Sequence, residues 1–292
     1  MQRTKAHRDR WIEFPPPRHF EQGLVRVLRR PDSPHRAELH RRVGCDEMKQ
    51  PYIFETATER RLHFTWDCTQ SVMNLGDPNA LITPYTRKMM AFLLLNPAPR
   101  RILMLGLGGG SLAKFCYTCL PEADITVVEI NEDVIALRDE FCIPKDDERF
   151  RVVHADGGAY LDHRMDEGQG PLDVILVDAF DPDGIARSLP ASRFYTRAAE
   201  CLTDAGMLVM NFWGERDRYG ENLNRAGRAF GTHLRLVPTA NGNLVLFASR
   251  QPAPSSIDEE LESRSRRLQQ KLSLDFPLYL RRMCQGHSLR VE

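Results

Sequence analysis

The sequence lacks any run of apolar residues long enough to cross a bilayer, so a conventional membrane-spanning helix is not expected. It also lacks an excess of either charge, since 40 Lys and Arg residues balance 40 Asp and Glu residues. A chain without net charge has no overall field that attracts nucleic acid or an anionic membrane. The first residues contain no secretory apolar core. We therefore expect a cytoplasmic protein with neither nucleic acid nor a membrane among its partners.

Cysteine is sparse, and the seven cysteines are scattered along the chain. Cys116 and Cys119 form a C-x-x-C pair, but the segment around them is typical of a helix interior. No second pair follows at the spacing that a zinc site needs. We therefore expect free thiols and no metal site.

The 292 residues, of which 42% are hydrophobic, suffice for one large domain with a small companion. Residues 1–45 are rich in Arg and Pro, which indicates a partly ordered extension, with a nucleic-acid-binding arm as the alternative. Residues 46–83 contain strand-like runs and predict a small β unit. Residues 84–250 predict an α/β domain. Residues 251–292 begin with a Pro- and Ser-rich linker and predict a helical extension.

A glycine cluster gives the α/β domain its first functional signal. The strand-like run Ile102–Leu105 stops at Gly106, Gly108 and Gly110, and a helical pattern follows. Glycine permits φ > 0 and a close approach of ligand to backbone, and a helix N-terminus offers free N–H groups. Glu129 ends the next apolar run, about twenty residues on, where a carboxylate can accept hydrogen bonds from a ribose diol. This arrangement indicates a nucleoside site; a tight turn followed by a solvated acid is the alternative.

Strand-like and helix-like segments alternate from residue 100 onward. The run Leu172–Asp178 is almost continuously apolar, which is typical of a parallel strand covered on both faces. The last two runs are joined by a link with hairpin chemistry, so we expect the sheet to end in an antiparallel pair. This pattern predicts an α/β fold of the class I methyltransferase type, a Rossmann-like seven-stranded sheet with a small N-terminal β domain. The predicted strands are Ile102–Leu105, Ile125–Ile130, Phe150–Ala155, Leu172–Asp178, Met207–Phe212, Leu234–Pro238 and Leu244–Ala248, and the predicted helices are Ser111–Leu120, Asn131–Phe141, Gly158–Arg164, Ser192–Leu202 and Gly220–Phe230.

Acids follow several of these strands, at the edge where ligand contacts gather in such sheets. Asp156 precedes Gly157, and its carboxylate can accept a hydrogen bond from an adenine amino group, cap the next helix, or do both. Asp178 and Asp181 lie three residues apart after the central strand. Such a pair can hold an amine and accept its proton, with turn formation as the alternative. The stretch Asn211-Phe212-Trp213 at the end of the fifth strand suits either an aminopropyl-transferring or a methylating enzyme.

The stretch from about Leu62 to Ser249, roughly two-thirds of the chain, resembles the spermidine synthase (polyamine aminopropyltransferase) family. The loop from Asp178 to Pro182, with its D-x-x-D-P pattern, is the most specific match. The other matching positions are Gln70, Ser71, Tyr85, Gly106–Gly110, Glu129, Asp156, Gly157, Asp173–Val177 and Gly206.

The resemblance implies a role for each matching residue. Glu129 binds the ribose and Asp156 the adenine of a decarboxylated S-adenosylmethionine co-substrate, and Asp178 helps to deprotonate the attacking amine. The remaining expected contacts are Asp181 and Tyr85 at the amine, and Gln70, Gly106, Gly108, Gly110 and Gly157 at the nucleoside. The resemblance also implies a polyamine or other amine as acceptor, no tightly bound cofactor, and a homodimer.

Two positions depart from the family pattern. Gly109 stands where the family usually has an acid that receives the aminopropyl ammonium of the donor, and Leu107 replaces a usual glycine. The donor is therefore either decarboxylated or intact S-adenosylmethionine. We expect aminopropyl transfer to a polyamine. The alternatives are a methyltransferase or aminocarboxypropyltransferase on the same fold, and a non-catalytic relative that binds a nucleoside.

Overall fold

The computed structural model describes residues 10–17, 22–181, 184–185, 192–213, 216–240, 242–252 and 256–285, without the side chains of residues 180, 181, 184, 185 and 216–218. Among the helices in these ranges, none combines the length and the apolar character that crossing a membrane requires.

A five-stranded antiparallel sheet forms the N-terminal unit, with its strands in sequence order. One face of this sheet packs its apolar side chains, including Val25 and Phe54, against Leu39 and Val43 of a short helix. The elements are β1 (Trp11–Phe14), β2 (Leu24–Leu28), α1 (Arg36–Gly44), β3 (Tyr52–Glu55), β4 (Glu59–His63) and β5 (Thr69–Asn74).

Two strands and a helix lie within residues 1–45, so the structure corrects our expectation of a partly ordered extension there. These elements are held by apolar packing, in which Phe14, Val25 and Val27 are buried. The many arginines obscure that pattern in the sequence, and one of them, Arg26, is itself fully buried in β2. A buried charge is tolerated when it is paired and hydrogen-bonded. The Arg26 guanidinium lies over the Trp11 ring and pairs with carboxylates from three separate segments, Glu13, Glu55 and Glu140. Its partners lie up to 114 residues away, so in the sequence this arginine is indistinguishable from the solvated ones around it.

The main sheet has seven strands in the order β13-β14-β12-β9-β6-β7-β8. The five strands from β12 to β8 are parallel, and β14 pairs antiparallel with both β12 and β13. The predicted fold class is thus confirmed, including its antiparallel end. The strands are β6 (Arg101–Leu105), β7 (Asp124–Glu129), β8 (Phe150–His154), β9 (Leu172–Val177), β12 (Leu202–Phe212), β13 (Leu234–Pro238) and β14 (Leu244–Ser249), and a small hairpin of β10 (Phe180–Asp181) and β11 (Gly184–Ile185) follows β9.

The central strand β9 is covered on both faces, as its apolar run predicts. Val174 and Leu176 belong to one apolar cluster, and Ile175 and Val177 belong to the other. Burial of both faces fixes the strand against its neighbours. The residue that follows Val177 is therefore delivered to a defined place at the carboxyl edge of the sheet.

Helices pack against both faces of the sheet, and two more follow it at the C-terminal end. The last two pack against the apolar cluster that also contains Val174. The helices are α2 (Pro84–Met89), which continues as a 3-10 turn (Met90–Leu94), α3 (Ser111–Cys119), α4 (Glu132–Ala136), α5 (Gly157–Asp166), α6 (Ser192–Cys201), α7 (Arg216–Phe230), α8 (Glu259–Leu272) and α9 (Phe276–Gln285).

Helix α4 is shorter than the predicted helix Asn131–Phe141. After Ala136 the chain forms hydrogen-bonded turns, and Cys142 has a left-handed backbone with φ of 55°. In these turns the Glu140 side chain reaches Arg26 and Arg60 of the N-terminal sheet. These contacts with the N-terminal sheet, which the sequence does not reveal, thus accompany the early end of the helix.

All seven cysteines are free thiols, as expected. The C-x-x-C pair lies within α3, where Cys116 is buried and Cys119 is half-buried. Burial raises the pKa of both thiols. Such thiols are inert packing groups rather than nucleophiles.

Candidate active site

A cavity of about 530 Å³ opens at the carboxyl edge of the parallel strands. The ends of β6, β7, β8 and β9 contribute to its wall, together with residues of β4, β5 and α2. Part of the lining is apolar, and the rest carries hydroxyl, amide and carboxylate groups. The predicted site residues in the lining are Gln70, Tyr85, Gly106, Gly108, Glu129, Asp156, Gly157 and Asp178.

The glycine turn brings its backbone close to the strand that carries Asp178. Gly106 has φ of 96°, and a Cβ there would collide with the carbonyl oxygen of Asp178. Only glycine meets both conditions. Gly110 also has a positive φ, but it does not line the cavity, because the space beside it is filled by Ile143. Of the three predicted glycines, Gly106 and Gly108 thus face the cavity, and Gly110 shapes the turn.

Glu129 fixes the glycine turn as well as lining the cavity. Its Oε2 accepts a hydrogen bond from the Leu107 N–H at 2.8 Å, and its Oε1 accepts one from the Asn131 N–H at 2.8 Å. The residue is only 9% exposed. Each carboxylate oxygen can accept a second hydrogen bond. The remaining lone pairs are therefore available to a pair of hydroxyls in the cavity.

Asp156 caps helix α5, and it borders the cavity too. Its Oδ1 accepts a hydrogen bond from the Ala159 N–H at 2.9 Å. Helix capping leaves the second carboxylate oxygen available. The two roles that the sequence left open for Asp156 are thus compatible in the structure.

Asp178 follows β9 and receives hydrogen bonds on both oxygens. The Tyr85 hydroxyl donates to Oδ2 at 3.0 Å, and the Asn211 carboxamide donates to Oδ1 at 3.0 Å. The parallel register, with Met210 opposite Val177, explains why residues 178 and 211 leave the sheet side by side. Tyr85 comes from α2, so three separate elements converge on this one carboxylate.

The surroundings of Asp178 favour a base that is stronger than an exposed carboxylate. Burial raises the pKa of the Asp178 carboxyl, and the hydrogen bonds from Asn211 and Tyr85 partly oppose that rise. Burial, and then the charge of Asp178, raise the pKa of the Tyr85 phenol well above its usual value. Tyr85 therefore stays protonated and acts as a donor.

Asp181, the other predicted member of the pair, ends strand β10, and its side chain lies outside the described residues. Among the residues that the structure does describe, no cluster of three or more His, Cys, Asp or Glu side chains could hold a metal ion.

One known protein family has a model that covers more than half of this chain. The family model described as Spermine/spermidine synthase domain matches residues 83–260. A polyamine aminopropyltransferase of Chromobacterium violaceum is 35% identical over 246 residues, which cover 84% of this chain and 93% of that protein. The chain belongs to the spermine/spermidine synthase family.

Solved structures support the fold at lower identity. Spermidine synthase from Thermotoga maritima superposes with a TM-score of 0.63 at 18% identity, covering 81% of each chain. Human methyltransferase-like protein 13, in complex with SAH, superposes with a TM-score of 0.58 at 23% identity, covering 66% of this chain and 93% of that one. At such identities these likenesses show the fold alone.

The space beside Gly109, where the resemblance leads us to expect an acid, is closed to a side chain. Gly109 is buried and does not line the cavity, and a Cβ there would lie 2.6 Å from Ser71 Oγ and 3.0 Å from Phe141 Cδ1. Ser71 thus occupies the space that a side chain at position 109 would need. Phe141 also contacts the buried Lys114, whose ammonium donates to the Phe141 carbonyl at 2.7 Å. Burial lowers the pKa of Lys114 to about 8.

Two residues at or beside the site, Ser111 and Asn243, escaped the sequence analysis. The hydroxyls of Ser71 and Ser111 lie 3.4 Å apart in the cavity wall, and only Ser71 was marked by the resemblance. Asn243 contacts Asn211, although nothing in its local sequence distinguishes it from a turn residue. The signal that could have found it is the strand order, which brings β14 beside β12.

Proposed function

We propose that this chain transfers the aminopropyl group of decarboxylated S-adenosylmethionine to an amine nitrogen of a polyamine. The observation that carries the proposal is the Asp178 carboxylate, which is held by Tyr85 and Asn211 and opens on the cavity that Glu129 also lines. A base and a ribose anchor thus share one cavity. Membership of the spermine/spermidine synthase family supports the same activity.

The chemistry asks little more of the protein than orientation and a proton acceptor. The amine lone pair attacks the aminopropyl carbon next to the sulfonium. The new C–N bond forms while the C–S bond breaks. The electron pair of the C–S bond stays on the sulfur, which becomes neutral, and the product is 5′-methylthioadenosine. The amine is a nucleophile only when neutral, so its proton must be removed, and Asp178 accepts it. Because burial raises the pKa of the Asp178 carboxyl, the difference between that pKa and the pKa of the protonated amine becomes smaller, which favours proton transfer.

The nucleoside half of the donor fits the other side of the cavity. Glu129 offers one free lone pair on each oxygen to the ribose hydroxyls. Asp156 can accept from the adenine amino group. Ile130 is 58% exposed although it is a large apolar residue, and it lines the cavity next to Glu129. An exposed apolar surface at that place suits one face of a purine ring.

The wall near Gly109 suits two different donor tails, because Gly109 carries no acid. Around Gly109 the wall presents the Ser71 and Ser111 hydroxyls, with the Lys114 ammonium buried behind them. Hydroxyls can accept from the ammonium of the decarboxylated donor, and they can equally donate to the carboxylate of intact S-adenosylmethionine. This observation keeps a second candidate function, in which the intact donor supplies a methyl or an aminocarboxypropyl group.

Product analysis separates the two functions. The purified chain is incubated with each donor and a panel of di- and polyamines, and the products are identified by mass. Aminopropyl transfer predicts an amine heavier by one aminopropyl group, together with 5′-methylthioadenosine, from the decarboxylated donor alone. A methylated amine and S-adenosylhomocysteine, formed from the intact donor, would instead establish the methyltransferase.

Asp178→Asn tests the proposed base. The substitution preserves the size of the side chain but removes its charge and most of its basicity, so turnover should fall by about 10²–10⁴-fold. Binding of 5′-methylthioadenosine, measured by calorimetry, should persist because Glu129 and Asp156 are untouched. Turnover equal to that of the wild type would move the role to Asp181 or to water.

The homodimer, which the family resemblance implies, and the cytoplasmic location, which the N-terminal residues and the cysteine usage indicate, also remain proposals. Light scattering of the eluted protein measures the molar mass directly, against a chain mass of 33.5 kDa.

A further inference from the structure

Asn243 is a buried polar residue at the end of the last hairpin. It immediately precedes β14 and is 6% exposed. In the antiparallel register, Val245 lies opposite Asn211. Side chains two residues apart share a face of the sheet, so Asn243 lies diagonally across from Asn211 on the same face. The strand order thus brings together two carboxamides that are 32 residues apart in the sequence.

The two carboxamides and Asp178 form a directional chain of hydrogen bonds. Asn243 Nδ2 donates to Asn211 Oδ1 at 3.0 Å, and Asn211 Nδ2 donates to Asp178 Oδ1 at 3.0 Å. Asn211 is 3% exposed. Water therefore has little access to the Asn211 carboxamide. Its oxygen is hydrogen-bonded to Asn243, and its nitrogen is hydrogen-bonded to Asp178.

A carboxamide is nearly symmetric in shape, so Asn211 fits its site in two orientations. In one orientation its N–H group meets the Asp178 carboxylate. In the other, its carbonyl oxygen meets that carboxylate, and two acceptors face each other. The Asp178 carboxylate favours the first orientation, because it can only accept. The Asn243 N–H group favours the same orientation, because it needs an oxygen on Asn211.

We propose that Asn243 is a positioning residue, which holds the Asn211 carboxamide so that its N–H group faces the Asp178 carboxylate. This proposal rests on the proposed role of Asp178 as the amine-activating base. Asn243 acts through Asn211, and it does not itself line the cavity.

The backbone of Asn243 is fixed by Thr239, at the other end of the hairpin. The Asn243 N–H donates to Thr239 Oγ1 at 3.0 Å, and the Asn243 carbonyl accepts from both the Thr239 N–H, at 2.8 Å, and the Thr239 hydroxyl, at 3.0 Å. Three hydrogen bonds from one residue leave the Asn243 backbone little freedom. The Asn243 side chain therefore reaches Asn211 from a fixed backbone position.

The ionisation of Asp178 reports the orientation of Asn211. Tyr85 faces Asp178 from α2, Asn211 faces it from β12, and the acids that line the same cavity are Glu129 and Asp156. Loss of a hydrogen bond to a carboxylate raises its pKa. The bond from Asn211 should be worth about one pH unit, given the usual strength of hydrogen bonds to charged groups.

Two variants test the proposal. Asn243→Asp keeps the shape but offers only acceptors, so the Asn211 N–H group should turn towards residue 243 and away from Asp178. The acidic limb of the pH profile of kcat/KM should then move up by about one pH unit. Asn243→Ala removes the donor to Asn211 without adding an acceptor. The acidic limb of the kcat/KM profile should therefore move in the same direction, but by a smaller amount. In both variants, 5′-methylthioadenosine affinity should stay within about twofold of the wild type, which also shows that the protein is folded.

Asn222→Ala is the matched control. Asn222 is also 6% exposed, and it lies in α7, where its Oδ1 accepts a hydrogen bond from Arg225. A purely structural cost of losing a buried asparagine should appear in this variant too, as a lower unfolding midpoint with an unchanged pH profile.

A substrate-free measurement separates this proposal from the proposed function. Carboxyl ¹³C labelling of aspartate, with the Asp178 signal assigned through Asp178→Asn, gives the pKa of Asp178 by NMR titration. A higher Asp178 pKa in Asn243→Ala, which introduces no charge, supports the positioning role even if the chain transfers no aminopropyl group. An Asp178 pKa equal to the wild-type value in folded Asn243→Ala would overturn it. The double variant Asn211→Ala with Asn243→Ala should titrate like Asn211→Ala alone, and a further shift there would contradict a role through Asn211.

Discussion

Glu129→Gln should damage both the fold and the nucleoside site, because one carboxylate serves both. The two oxygens of Glu129 accept from the Leu107 and Asn131 N–H groups, each at 2.8 Å. A glutamine keeps one acceptor and turns the other into a donor, so one N–H group then faces an N–H group. A hydrogen bond to a charged group contributes about 1.5–3 kcal/mol. We therefore expect the free energy of unfolding, from urea titration, to fall by about that amount.

The same substitution should weaken 5′-methylthioadenosine binding by roughly ten- to a hundredfold, which is the free-energy range above expressed as an affinity. Weaker binding alone would not show a direct contact, because the substitution also loosens the glycine turn. The ligand can be changed as well: the 2′-deoxy analogue lacks one hydroxyl of the diol. If Glu129 binds the ribose, removal of that hydroxyl should weaken binding in the wild type and have much less effect in Glu129→Gln.

Asp173→Ala provides the control for stability. The Asp173 carboxylate also accepts from two backbone N–H groups, those of Arg100 and Arg101, at 2.7 and 3.0 Å. It lies at the start of β9, away from the cavity. This variant should lose stability and keep its affinity for the nucleoside. If the 2′-deoxy analogue loses the same affinity in Glu129→Gln as in the wild type, Glu129 does not touch the ribose and its role is confined to the turn.

Two further predictions concern the amine and the donor tail. Tyr85→Phe removes the donor to Asp178 Oδ2, so the pKa of Asp178, already raised by burial, should rise further. Since the carboxylate is the active form, kcat/KM should need a higher pH, with its acidic limb displaced upward by about one unit, and an unmoved limb would show that the phenol does not tune this base. At Gly109, φ lies outside the left-handed region, and the obstacles to a side chain are Ser71, at 2.6 Å from a Cβ, and then Phe141, at 3.0 Å. Gly109→Asp, combined with Ser71→Gly, should favour binding of the decarboxylated donor over the intact one by roughly ten- to a hundredfold; an unchanged donor ratio, with 5′-methylthioadenosine affinity intact, would place the donor tail elsewhere.

The sequence reveals the nucleoside half of the site because that half depends on local order. A glycine turn follows β6, and an acid ends β7. Parallel strands deliver their carboxyl ends to one edge, so Glu129, Asp156 and Asp178 meet there whatever the details of packing. Strand pattern and spacing were therefore enough to predict which of these residues line the cavity.

The amine half depends on pairings that no local pattern encodes. The sequence predicts that β13 and β14 form a hairpin, but it does not say which of the two lies beside β12. Because β14 takes that place, Asn243 reaches Asn211. Had β13 been the neighbour, a different residue would have met Asn211. One choice of strand order thus determines the surroundings of the proposed base.

The N-terminal sheet illustrates the same limit for the whole cavity. It contributes Leu62, Phe64, Gln70 and Ser71 to the lining, so its position relative to the main sheet sets the shape of the site. That position is fixed in part by polar contacts: the buried Arg26 pairs with Glu140, and Arg60 donates to the Glu140 carbonyl. The next residue, Phe141, lies against Gly109 and accepts from Lys114. A buried ion pair demands a defined geometry from both partners, whereas apolar contacts tolerate sliding. The Arg-rich composition of residues 1–45 led us to expect a partly ordered extension. One of these arginines, Arg26, instead links this sheet to the turns beside the glycine loop.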